Sequence, residues 1–148
     1  MTQIEIKFEN SINRALLFAF EQCPDARPTL DALKQLLFTK GKEYRRNNDP
    51  YHNFKEGAKL QNVRPMTVLN GFRLKHEISV NDIFTDYRNK RPVSLAQVNE
   101  KFNDILVYTL IELAYVESEG EVSFAYYRKF IEVLKKKTKF VKNLNARI

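Results

Sequence analysis

Two acid pairs, each spaced by four residues, are the strongest chemical feature of the sequence: Asp82 with Asp86, and Glu100 with Asp104. A spacing of four returns a side chain to the same face of an α-helix, and Lys75 and Ser79 fall on the side of Asp82 and Asp86. Between the pairs lies Arg88-Asn89-Lys90-Arg91-Pro92-Val93, a short connection that predicts an antiparallel helix hairpin over Leu69 to Tyr108. Both pairs then stand at similar distances from the turn, and four carboxylates face one another. Grouped carboxylate oxygens suit a hard cation such as Mg²⁺, and a spare carboxylate can take a proton from water.

The second helix of the hairpin continues as ILVYTLIELAYV, apolar nearly all round, so it predicts a segment buried on most of its circumference. Glu100 and Asp104 sit where that helix enters the core. A carboxylate there must be paired, hydrogen-bonded, protonated or bound to metal, because an uncompensated buried charge is costly. Two readings follow: a metal or catalytic cluster, or internal ion pairing with Arg73, Lys75 or Lys101 together with ordinary exposure.

The 148 residues suffice for one domain with a real core, 1–148, and only four glycines argue against a β-rich fold. An all-α bundle of about five helices around a central antiparallel pair is expected. The single Cys23 excludes an intramolecular disulfide and fits a reducing, cytoplasmic setting. No apolar run has membrane-spanning length, and MTQIEIKFEN lacks the order of a signal peptide, so no membrane partner is expected. P-loop, GxGxxG, HExxH and nucleophile-elbow patterns are missing, which removes the classes that depend on them.

Charge is uneven. From Arg128 to the end, eight cations face Glu132 alone, which equals the whole net charge of +7. This basic helix or tail, from about residue 123 to 148, suits contact with nucleic acid or an acidic protein, or serves simply as a solvated, frayed end. Elsewhere, helix is expected from about Ser11, with the first residues left open and Cys23-Pro24 as its end. Thr29 is a candidate N-cap for the next helix. YRRNNDPYHNFKEGAKLQNVRP reads as turn-rich, with one helical turn in FKEGAKL, and offers His52 and Asn53 as contact residues, with Lys42, Glu43, Arg45 and Arg46 at the edge of the preceding helix. Pro65 opens a helix, Ser94 caps the one carrying Glu100, and Ser123 opens the last. His76 points away from Lys75, toward the side of Phe72 and Ile83, and reads as a partly buried, hydrogen-bonded histidine.

The blocks KGKEY, NNDPYHNF, GFRLKHEISVNDI and EKFNDILVYTLI, over roughly Lys40 to Leu113, resemble small phage-encoded nucleotide-modification-associated proteins. These in turn look like relatives of the all-α NTP pyrophosphohydrolases, the MazG-type enzymes and dimeric dUTPases. The resemblance implies a helical, dimeric core whose acids hold Mg²⁺ against a nucleoside triphosphate (NTP or dNTP): Asp82 from the first helix, Glu100 and Asp104 from the second, with Lys75 and Asn53 at polar positions of the phage group. Asp86 is then the candidate base, and Lys75 with Lys42 would steady the phosphates, while the Tyr51–Phe54 loop would meet the nucleobase. MazG-type enzymes carry ExxE and ExxD, whereas both pairs here are four apart and Asn103 replaces a Gly. The rival reading is a non-enzymatic interaction protein, such as an inhibitor of a bacterial defence system, working through the basic C-terminal helix. Surplus aromatic surface at Phe124, Tyr126, Tyr127 and Phe130 adds to the expectation of a homodimer.

Overall fold

Helix begins almost at the first residue. Thr2 Oγ1 accepts from the Glu5 N–H at 3.2 Å while Glu5 accepts from the Thr2 N–H at 3.0 Å, a capping box that starts α1 (Gln3–Gln22) well before Ser11. The computed structural model describes residues 1–147, with side chains for all but 40–44 and 147. After a 3-10 turn at Pro24–Ala26 come α2 (Arg27–Tyr44), α3 (His52–Gln61), α4 (Pro65–Arg88), α5 (Leu95–Ser118) and α6 (Phe124–Arg147). The fold is all-α, as expected, with six helices among the described residues rather than five.

The additional helix is α3, where one turn was anticipated. Asn47 and Asn48 take positive φ angles of 57° and 60°, which reverses the chain. Asp49 then accepts from the Tyr51 N–H at 2.9 Å and pairs with Lys55 at 2.8 Å, steadying the first turn. Tyr51 and Phe54 are fully buried, with Tyr51 edge-on to Phe8 and Tyr115. These two rings belong to the core, so neither is available to a nucleobase.

At the centre lies α5, packed against α1, α2, α4 and α6. Ser94 caps it, Oγ accepting from the Gln97 N–H at 3.3 Å, as its sequence position predicts. One apolar cluster joins α1, α2 and α3 to α5 through Phe8, Leu33, Phe54 and Leu110; a second joins the far ends of α4 and α6 through Ile83, Phe102, Phe140 and Leu144. Burying Phe140 and Leu144, at about 1.5–3 kcal/mol each, holds the basic end of α6 as ordered helix, so it is not a frayed tail. Thr29 is not a cap: α2 begins at Arg27, and Thr29 Oγ1 accepts from Lys137 Nζ at 2.9 Å. No helix among the described residues is long and apolar enough to cross a membrane.

Candidate functional site at the α4–α5 seam

The antiparallel packing of α4 on α5 aligns two i,i+4 pairs, Phe72 with His76 and Asp104 with Tyr108. The rings interleave. Phe72 stacks on Tyr108 at 5.7 Å and 10°, and Tyr108 stacks on His76 at 5.4 Å and 15°. Phe54 of α3 abuts Phe72 edge-on at 5.9 Å. At the end of this column His76 Nδ1 lies 3.4 Å from Asp104 Oδ2. Asp104 is only 6% exposed, which matches its expected place at the entry to the core.

At 3.4 Å His76 and Asp104 are within ion-pair range, and the buried carboxylate faces Nδ1 of the ring. His76 with Asp104 is therefore suited to accept and return a proton. Lys75, next to His76, is exposed, as is Asn53 in the first turn of α3, the helix packed on α4. Phe72, with Tyr108 stacked on it and Phe54 abutting it edge-on, keeps 42% of its surface accessible.

The four carboxylates do not converge. Asp82 and Glu100 are exposed, and among the described residues no group of three or more His, Cys, Asp or Glu side chains is placed to hold a metal ion. Asp82 stands about 9 Å along α4 from His76, and Asp86 about 15 Å. Asp86 is joined to Arg91 Nη1 at 3.2 Å beside the α4–α5 turn. Four-residue spacing put each pair on one face, but only Asp104 on that face turns into the core. The donor set of Asp82, Glu100 and Asp104 thus does not fit a Mg²⁺ cage within this chain. The side chain of Lys42 lies outside the described residues.

Other charged groups were less legible. Glu112, 0% exposed, accepts from Arg73 Nε at 2.5 Å; Arg73 also pairs with Glu77 at 2.7 Å, and Lys129 of α6 reaches Glu77 at 2.8 Å. Burial pushes the Glu112 carboxyl up despite Arg73. For Glu77 burial is outweighed by hydrogen bonds from Lys129 and Arg73, which hold it below the usual carboxylate range. Lys137, 5% exposed, donates to Thr29 Oγ1 and Asn103 Oδ1, both at 2.9 Å, and burial lowers its ammonium from 10.5 to about 8. The signals were present: Glu112 is the one acid inside an apolar run, and Lys137 shares a helical stripe with Phe130, Leu134 and Leu144.

No family model matches the chain, and neither a curated protein nor a solved structure is significantly similar to it.

Proposed function

We propose that the protein binds a nucleoside triphosphate, NTP or dNTP, at the α4–α5 seam and that His76, oriented by Asp104, is its proton-handling residue. The observation that carries this reading is the His76–Asp104 pair built onto a ring stack in which Phe72 remains 42% exposed. A nucleobase stacked on an exposed ring gains about 1–3 kcal/mol. Lys75 supplies a cation for the phosphates, and the exposed Asn53 of α3 is the candidate hydrogen-bonding group. In hydrolysis, water attacks the α-phosphorus, pyrophosphate leaves, and His76 takes the proton of the water, giving a nucleoside monophosphate. Mg²⁺ arrives bound to the nucleotide's own phosphates, a common mode for this ion.

Self-association belongs to the same proposal. Leu74 and Ile78, one turn apart on α4 and flanking Lys75, are each 54% exposed, and a second copy laid on them would enclose the open seam. The aromatic surplus once expected in α6 is largely absorbed: Phe130 is buried, Tyr126 and Tyr127 pack against the core, and Phe124 alone stays exposed.

A panel of NTPs and dNTPs with Mg²⁺, scored for monophosphate plus pyrophosphate and for ligand-induced rise in melting temperature, tests the reading. At least one nucleotide should stabilise the wild type and be turned over. A panel in which none does either would end it.

A further inference from the structure

Between α1 and α6, away from the α4–α5 seam, runs a groove of about 620 Å³ with apolar walls of Phe18, Phe124, Tyr127 and Ile131. Its rim carries Arg128 and Lys135 against a single anion, Glu132. Phe124 is 64% exposed, with the Arg128 guanidinium over its ring at 5.0 Å. Beyond the groove the outer face of α6 continues the charge. Arg128, Lys135, Lys139 and Lys142 recur at helical spacing, all exposed, and none is ion-paired among the described residues. From Arg128 to Lys142 the row measures about 21 Å, four turns of helix.

We infer that this face docks an acidic amphipathic helix of another protein, its apolar stripe in the α1–α6 groove and its carboxylates along the cationic row. Apolar helix-in-groove contact supplies affinity, while opposite charges fix register and speed encounter. A phosphate backbone would use the row and leave the rings of the groove idle, so nucleic acid explains half of the surface. A second copy placed on the same face by a two-fold axis would set one cationic row against another, which costs free energy.

The test uses fluorescence anisotropy on the whole chain. The probe is a labelled designed helix of about 18 residues with a leucine stripe and a glutamate stripe, at about 150 mM salt. A scrambled peptide of the same composition, a lysine-for-glutamate version, single-stranded DNA and phosphatidylserine-containing vesicles are run beside it. The acidic helix should bind at tens of micromolar, and both control peptides about tenfold or more weaker. Phe124→Ser and Lys135→Glu should each weaken it about threefold or more, and a double variant about tenfold. Both positions are exposed, so melting temperatures should stay near that of the wild type; if Phe124→Ser lowers its own, Lys135→Glu with Lys139→Glu decides. Equal binding of the scrambled peptide, or unchanged binding by the variants, overturns the inference. So does tighter binding of DNA or vesicles that ignores Phe124, or a wild-type dimer that Phe124→Ser dissolves.

Discussion

Asp104 is the residue on which the site turns, because it is buried and holds His76 Nδ1 at 3.4 Å. Asp104→Asn keeps shape and hydrogen-bonding capacity but removes the charge that orients and stabilises the imidazolium. Turnover of the nucleotide should fall by about 10²-fold or more, with a melting temperature within a few degrees of the wild type. Steady-state kinetics beside a thermal melt checks both. Lys137 gives a prediction in pH. Its folded-state ammonium titrates at about 8 against 10.5 in the ordinary state, so between those values the unfolded chain binds the extra proton. Stability should therefore rise with pH from about 8 to 10, by up to about 3 kcal/mol across the full window. Tyr115, Tyr126 and Tyr127, all raised by burial, oppose this only as pH passes about 10. Lys137→Met should abolish the rise in denaturant titrations at pH 7, 8, 9 and 10; a variant that keeps the wild-type slope places the proton elsewhere. At this scale the sequence was readable for the burial of Asp104 and the partial burial of His76, from their helical positions relative to an apolar run, but not for their meeting. It was unreadable for Asp82 and Glu100, because a shared helix face does not say whether that face turns inward or to water at a given turn.

Among elements, α4 and α6 are held to α5 partly by the Arg73–Glu112–Glu77–Lys129 network. Removing Arg73 leaves a carboxylate that is 0% exposed without its cation, so Arg73→Met should cost about 3–5 kcal/mol. Arg73→Met combined with Glu112→Leu should recover most of that loss, since the carboxylate left without its cation is gone and Glu77 keeps Lys129. A double variant as unstable as the single would mean that the network's worth lies in packing and not in charge. The hairpin of α4 and α5, the cap at Ser94 and the proline start of α4 were legible because each rests on local rules. The start of α1 rests on a local rule too, the Thr2-x-x-Glu5 capping box, which the reading of the first residues left unused. The length of α3 was not legible, because it depends on Tyr51 and Phe54 finding Phe8, Phe72 and Tyr115 in distant helices. The order at the end of α6 likewise comes from Phe140 and Leu144 packing with Ile83 and Phe102, contacts that a count of lysines hides.

For the whole molecule, the two proposed surfaces lie on different helix pairs: the α4–α5 seam with its histidine–aspartate pair, and the α1–α6 face with its groove and cationic row. Enclosure of the seam by a second copy predicts a dimer at tens of micromolar in light scattering. Leu74→Glu should convert it to monomer, and Phe124→Ser should not. A wild type that is monomeric throughout that range removes the second copy from the account. The most direct test of nucleotide binding at the seam is a titration of the ¹⁵N-labelled protein with Mg²⁺–nucleotide, followed by amide chemical shifts. The account predicts saturable shifts gathered on residues 72–79 of α4 and 100–108 of α5, with Asn53, lost or displaced in Asp104→Asn. Shifts confined to the row from Arg128 to Lys142, or none at millimolar nucleotide, would contradict it.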